Sequence, residues 1–268
     1  MPVLPTLIDP TSDAFATNVG DMTAMLTDID GLLAEAAAGG GEAATARLRS
    51  RGKLPVRERV ALLLDRDTPF LELSPLAGYQ TDFAVGGGAV LGVGVVSGTE
   101  CVIFANDPTV MGGAMTAISI RKLLRALEIS RQNRLPYVQF VESAGGDLRG
   151  LTGGDPDEAL RTNLGHFADS GRMFHDITEL SGLGIPTVSV VFGSSTAGGA
   201  YQPGLSDYNI FVKGGAKVFL GGPPLVKVAT GEDAGDEELG GAEMHASVSG
   251  LADYLADDEP EAIRMARD

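Results

Sequence analysis

The chain has 268 residues, 44% of them hydrophobic, which is room for one large domain or two small ones with a real core. Acidic residues outnumber basic ones by 36 to 20, and the net charge of −16 argues against a nucleic-acid partner, whose binding rests on neutralised phosphates. No apolar run approaches the length of a membrane span, the amino terminus lacks a basic stretch followed by an apolar one, and the single Cys101 excludes an internal disulfide or a cysteine-rich metal site. A chain of the reducing cytoplasm with no membrane partner is therefore expected.

Residues 1–20 read as irregular. DMTAMLTDIDGLLAEAAAG (21–39) is rich in Ala and Leu and predicts a helix, ended by the glycine run at 39–41. EAATARLRSR predicts a second helix. PVRERVALLLD predicts a short arginine-rich one with apolar positions at 60, 63 and 64, and PFLELSPL is short and extended. From residue 85 the pattern changes. GAVLGVGVVSGTECVIFAND holds two β-rich runs joined by SGTE, a hairpin. MGGAMTAISIRKLLRALEISRQNRL follows, with apolar residues at 120, 123, 124 and 127 in helical spacing, and Pro136 stops it. YVQFV is a strand ended by ESAGGDLRG. Residues 151–165 are polar and glycine-rich and read as a mobile loop. HFADSGRMFHDITELSGLG predicts a helix with Met173, Phe174, Ile177 and Leu180 on one face. A strand at 187–192, a helix near 200–206, strands NIFVKG and KVFLGG and helix PPLVKVATG complete the order. The last segment, DDEPEAIRMARD, starts a helix that stops after about two turns, marginal unless it docks or continues.

One unit recurs: a β-rich run, a glycine pair, a helix. It occurs at Gly112–Gly113, Gly145–Gly146 and Gly198–Gly199, at unequal intervals that do not fit a solenoid. The pattern suits an α/β fold whose strands carry loops and helices at one end. A glycine pair between a strand and a helix lets another molecule approach the unpaired N–H groups of the helix start, a site for a phosphate, a carboxylate or a developing oxyanion. The structural alternative is close packing of strand and helix backbones.

Other chemistries fail on detail. GSSTAG is not the G-x-S-x-G nucleophile elbow, KGGAK is too short for a phosphate loop, and no G-x-G-x-x-G closes AVLGVGVVSG. His166, His175 and His245 make no metal-ligand spacing and read as structural, so no metal is expected. Oxyanion-binding amides without a side-chain base imply that the base comes from another chain, or from the substrate or cofactor. Charge is also uneven. RLRSRGKLPVRER (47–59) holds six basic residues and one acidic, either solvated surface or a seat for a phosphorylated ligand; EDAGDEELGGAE (232–243) holds six acids and reads as solvated surface.

RSRGKLPVRERVALLLDRDTPFLELSPLAGY, FANDPTVMGGAM, VESAGGDL, GSSTAGGAYQPGLSDYNIFVKGGAKVFLGGPPLVKVATGE and EELGGAEMHASVSGLADYLADDE, in that order, resemble the carboxyltransferase β subunit of biotin-dependent acyl-CoA carboxylases. The wording TAGGAY…SD and FLGGPPLVK is nearest the methylcrotonyl-CoA carboxylase branch. The resemblance covers about residues 40–268 and implies a crotonase-like (ClpP/crotonase) α/β fold, a spiral of ββα units. It implies an N-terminal helical extension at 1–40 and the N-terminal domain of the transferase at 41–268, with the C-terminal half absent.

The resemblance also implies a mechanism: carboxybiotin, carried on a separate subunit, releases CO2, its anion takes a proton of the acyl-CoA, and the enolate attacks CO2. No Met-Lys pair marks a biotinylation site, so biotin loading lies on other chains. The expected partners are a biotin carboxylase/biotin carboxyl carrier subunit, the C-terminal half and other protomers, a hexamer in the family. Gly198 and Gly199, with Ala200, are expected at the biotin ureido oxygen. Ala144, Gly145 and Gly146 are expected to line the acyl-CoA cleft with Gly112 and Gly113. Ala144 stands where the family's first glycine is usual. Arg51, Lys53 and Arg57 are expected near the CoA phosphates. The alternatives are a decarboxylase subunit, a non-catalytic CoA-binding or assembly subunit, and a crotonase-like hydratase or isomerase using Glu142 or Asp147, the acids flanking the 145–146 turn.

Overall fold

The structure, a computed structural model, describes residues 5–147 and 156–268, with side chains from residue 168 onward in the second stretch. Three helices lead the chain: α1 (Asp13–Ala38), α2 (Gly41–Arg49) and α3 (Val56–Leu63). The start of α1 at Asp13 corrects the irregular reading of residues 1–20. Ser12 caps it, its hydroxyl accepting from the amide of Phe15, a signal that lies ahead of the Ala- and Leu-rich stretch.

A sheet follows. Strand β1 (Leu71–Glu72) pairs antiparallel with β2 (Ala89–Val96), which forms the expected hairpin with β3 (Thr99–Asn106). Helix α4 (Ala117–Asn133) leads to β4 (Tyr137–Ser143), and α5 (Pro156–Gly182) to β5 (Thr187–Thr196). The start of α5 at Pro156 corrects the loop reading of 151–165 over its second part; a proline's fixed φ suits the first helical turn. Residues 151–155 lie outside the described residues. One helical turn, α6 (Tyr201–Gly204), precedes β6 (Tyr208–Val212) and β7 (Lys217–Phe219). Then come α7 (Pro223–Thr230), α8 (Asp236–Gly240), α9 (Ala242–Met244), β8 (Tyr254–Ala256) and α10 (Glu259–Arg267).

The sheet order is β1-β2-β3-β4-β5-β6-β8, with β7 pairing β5 as a side branch. From β3 to β8 all pairings are parallel, so these strands end on one side of the molecule. Helices cover both faces, so the strands read as continuous apolar runs. Along β3, Ile103 turns to one core, with Phe140, Phe192, Val60 and Leu63 of α3, and Ile263 of α10. Its neighbours Val102 and Phe104 turn to the other, with Ile120, Leu123 and Leu127 of α4 and Met173, Ile177 and Leu180 of α5. The faces expected for α4 and α5 are the buried ones. No described helix is long and apolar enough to cross a membrane.

Candidate active site

The three glycine pairs come together where β3, β4 and β5 end. The amide of Ala144 donates to the carbonyl of Gly112 (3.1 Å), that of Met115 to Gly145 (2.8 Å) and that of Asp147 to Met115 (2.9 Å), which ties the first turn to the second. The third reaches both. A Cβ on Gly198 would lie 3.3 Å from Cε of Met115, and one on Gly199 3.3 Å from Cβ of Ser143 and Oγ of Ser195. The hydroxyl of Ser195 donates to the carbonyl of Gly199 (2.8 Å), and the amide of Gly145 donates to Oγ of Ser143 (3.2 Å).

The reason for the glycines differs from the helix-start argument. None of the pairs opens a long helix. Gly112 and Gly113 lie in a 3₁₀ turn, and α4 begins later, behind the Thr116/Ser119 capping box. Gly198, Gly199 and Ala200 form a 3₁₀ turn followed only by the four residues of α6, which the sequence suggested as a helix over 200–206. These are strand-end turns in left-handed or tightly packed backbone. Gly113 (φ +71°) would place a Cβ 1.9 Å from the carbonyl oxygen of Glu142, and Gly145 has φ +94°. Two non-glycine residues beside the pairs, Met111 (φ 52°) and Ala197 (φ 50°), are also left-handed, a conformation that costs a side-chain-bearing residue.

Beside the turns, β5 bulges against β4: Val141 faces Val191 and Ser143 faces Ser195, so three residues of β5 oppose Glu142 alone. Gly193 in the bulge leaves room for the Glu142 side chain, since a Cβ there would lie 2.5 Å from Oε1. That carboxylate is committed. Lys53 Nζ donates to Oε1 and also to the bulge carbonyl of Phe192 (3.1 Å), and Arg59 Nη2 donates to Oε2 (3.0 Å). Arg59 is fully buried, its guanidinium 4.3 Å from the centre of the Phe192 ring. It reaches on to Glu259 of α10 through Nε (2.9 Å) and Nη2 (2.6 Å), and Glu259 also accepts from the amide of Leu54 (3.0 Å). Two cations and two carboxylates thus tie the segment before α3, β4 and α10 together.

A cleft of about 340 Å³ opens over this network, lined among others by Arg51, Lys53, Gly112, Glu142, Ala144 and Lys217. Arg51 is exposed and makes no ion pair among the described residues. Lys53 lines the cleft but its ammonium is turned to Glu142. Arg57 is not among the lining residues; it makes a two-bonded pair with Glu72 (2.8 Å each), which raises its pKa further. Lys217 was missed by sequence reasoning, which considered KGGAK only as a failed phosphate loop. It pairs with Asp236 (3.1 Å) and Glu237 (3.4 Å), so part of the acidic stretch read as solvated surface serves a lysine on the cleft.

A profile of the carboxyl transferase domain matches residues 47–268. The chain belongs to the carboxyl transferase domain family. It is 51% identical over 265 residues to a probable biotin-dependent acyl-coenzyme A carboxylase beta2 subunit of Mycobacterium tuberculosis, covering 99% of this chain and 48% of that protein. It is 44% identical to a probable mitochondrial methylcrotonoyl-CoA carboxylase beta chain of Drosophila melanogaster, covering 99% and 45%. The β subunit of Pseudomonas aeruginosa geranyl-CoA carboxylase has the same fold, with a TM-score of 0.87 at 41% identity over 99% of this chain and 48% of that one. The transferase domain here therefore has the crotonase-like fold that the motifs implied, and it spans about half the length of the curated relatives it matches.

Within this carboxyl transferase domain the two histidines with described side chains do not line the cleft. His245 is buried, with Nε2 2.8 Å from the Val218 carbonyl and Nδ1 2.7 Å from Oγ of Ser249, a packing role. His175 is exposed on α5. Its neighbours Asp176 and Glu179 lie within ligand reach of it, but they already pair with Arg172 and Arg131. The side chain of His166 lies outside the described residues.

Proposed function

We propose that this chain supplies one side of the carboxyltransferase site of a biotin-dependent acyl-CoA carboxylase, passing CO2 from carboxybiotin on a separate carrier to an acyl-CoA. The observation that carries the reading is the meeting of three glycine turns at the ends of β3, β4 and β5, in a family member whose cleft lacks an uncommitted Glu142 carboxylate. Glycine at 198 and 199 keeps this turn close against Met115, Ser143 and Ser195, and backbone amides are the donors that a ureido or enolate oxygen takes.

When bound, carboxybiotin supplies the CO2 and, once CO2 has left, a nitrogen base. The chain's own part is to hold and orient. Gly198 and Gly199, with Ala200, receive the ureido oxygen. Gly112, Gly113, Ala144, Gly145 and Gly146 border the acyl-CoA, and Arg51 offers the uncommitted cation for its phosphates. Arg57 is the weakest of the three basic residues for that role, because Glu72 already holds both arms of its guanidinium. Alignment of this kind is itself a large catalytic contribution. Residues 41–268 form the transferase domain proper in this reading, working in the cytoplasm with a biotin carboxylase/carrier subunit, further protomers and the second half of the transferase.

The test is to combine the chain with its C-terminal half and a biotinylated carrier and to follow CO2 transfer in both directions over acyl-CoAs from acetyl to methylcrotonyl. Transfer to at least one is expected; failure with all of them overturns the reading. The hydratase alternative is separated by Glu142→Gln. Loss of a general base costs about 10²–10⁴-fold, whereas folded Glu142→Gln enzyme is expected to keep transfer within about tenfold, because that carboxylate serves Lys53 and Arg59.

A further inference from the structure

The two turns assigned above to carboxybiotin and to the acyl-CoA rest on a pair of serines. Ser143 ends β4 and faces Ser195 of β5 in register, just past the bulge. Before the bulge β5 pairs with β6; after it β5 pairs with β7, which brackets Ser195 between Ser143 and Val218. Both serines are fully buried. A buried hydroxyl costs free energy unless it is bonded, so the bonds these two make are the reason for them. Each bonds one turn. The amide of Gly145 donates to Oγ of Ser143 (3.2 Å), which holds the 144–146 turn. The hydroxyl of Ser195 donates to the Gly199 carbonyl (2.8 Å), which holds the 198–200 turn.

The packing crosses over. A Cβ on Gly199 would lie 3.3 Å from Cβ and 3.4 Å from Oγ of Ser143, the serine of the other turn. A Cβ on Gly145 would lie 3.3 Å from both the carbonyl oxygen and Oγ1 of Thr196, and 3.8 Å from Cβ of Ala197, the residues that follow Ser195. Each turn therefore leans on the strand end that anchors the other, at a distance that only glycine allows.

We infer that Ser143 and Ser195 are positioning residues of the transfer. Together they fix the gap between the 198–200 turn and the 144–146 turn, so that CO2 freed at one is met by the acyl-CoA held at the other. Neither hydroxyl touches a reactant. The inference rests on the carboxyltransferase reading for its chemistry, whereas the lock between the turns belongs to this chain alone. A misplacement of one ångström between reactants costs about 10²-fold in rate. CO2 that is not captured escapes to water, so a loosened pair loses yield as well as speed.

The test has two arms. In the intact chain, amide hydrogen exchange is followed by NMR. Ser195→Ala is expected to speed exchange at Gly145, and Ser143→Ala at Gly199 and Ala200, both buried, by about threefold to tenfold, the worth of one hydrogen bond. Ser189→Ala removes another fully buried hydroxyl earlier on β5, one without a hydrogen-bond partner among the described residues, and is expected to change neither. Faster exchange confined to the turn that the replaced serine itself bonds overturns the lock.

In the assembled enzyme, carboxyacyl-CoA formed is counted against carboxybiotin consumed. Each alanine variant at 143 or 195 is expected to lower kcat by about tenfold or more, to keep the KM for acyl-CoA within about twofold, and to lower the yield per carboxybiotin. Ser195→Cys keeps a weak donor and is expected to fall between Ser195→Ala and the unsubstituted enzyme. Partial unfolding alone lowers kcat and leaves the yield where it was, and that result overturns the inference. No transfer by the unsubstituted enzyme with any acyl-CoA overturns the carboxyltransferase reading itself, and with it this role for the pair.

Discussion

At the amino-terminal ends of β4, β5 and β6 the connections are short and closed by side chains as well as backbone, whereas at the carboxyl-terminal ends of β3, β4 and β5 they are glycine-rich and come together through backbone contacts. Before β4, Oγ of Ser130 donates to the Leu135 carbonyl (2.6 Å), and the Asp207 carboxylate ahead of β6 accepts from the amide and hydroxyl of Thr187 at the start of β5 (2.9 Å each). At the other end, Gly112, Gly145 and their neighbours bond to one another beside a bulge and the network of Lys53, Glu142, Arg59 and Glu259. One end spends its polar groups on closing loops. The other brings three glycine turns together beside a bulge, the division expected where a parallel sheet binds ligand at its strand ends.

Four measurements set this contrast at risk. Glu142→Ala, which takes the carboxylate from Lys53 and leaves Arg59 with Glu259 alone, should cost about 3 kcal/mol in urea unfolding. Glu179→Ala, which breaks the exposed pair with Arg131 (3.2 Å), should cost less than about 1 kcal/mol. Equal effects would mean that the buried charges do not organise this end.

Gly113→Ala drives a methyl into the Glu142 carbonyl and should cost roughly 3 kcal/mol. At the opposite end, Gly184 has a similar φ of +69° but open space around it, and Gly184→Ala should cost only about 1 kcal/mol. The comparison separates close approach from backbone conformation alone.

Lys122 of α4 anchors the backbone ahead of β2 by donating to the carbonyls of Gly86 (3.0 Å) and Ala89 (2.6 Å), and burial pulls its pKa down from 10.5 to about 8. Between pH 8 and 10.5 the unfolded chain then binds a proton that the folded chain does not, so stability rises with pH. The rise approaches about 3 kcal/mol and should vanish in Lys122→Met. A small effect of opposite sign is expected at Ala197. Glycine there relieves a left-handed alanine, and Ala197→Gly should raise stability by about 1 kcal/mol; a loss instead would mean that the turn is not strained.

Much of the scaffold was legible because it is periodic. The buried faces of α4 and α5 follow from 120, 123, 124 and 127 and from 173, 177 and 180, and the β2–β3 hairpin from two β-rich runs around SGTE. The glycine pairs marked three turns that the fold brings together, but helix starts were inferred where cross-loop bonds and close backbone contacts require glycine. The charge network was out of reach. Lys53 meets Glu142 across 89 residues and Arg59 meets Glu259 across 200, and no local pattern signals such a pairing. For the same reason a basic stretch read as one phosphate seat divides into an uncommitted Arg51, a Lys53 turned to Glu142 and an Arg57 held by Glu72.

The central claim is that backbone N–H groups at Gly198 and Gly199 take part in carboxyl transfer. It is tested most directly by replacing each of those amides singly with an ester in the assembled enzyme, which removes the donor and leaves the side-chain environment unchanged. The account predicts a fall in kcat of about 10²–10³-fold for at least one position, with the unfolding midpoint nearly unmoved. Full transfer activity with both esters would contradict it.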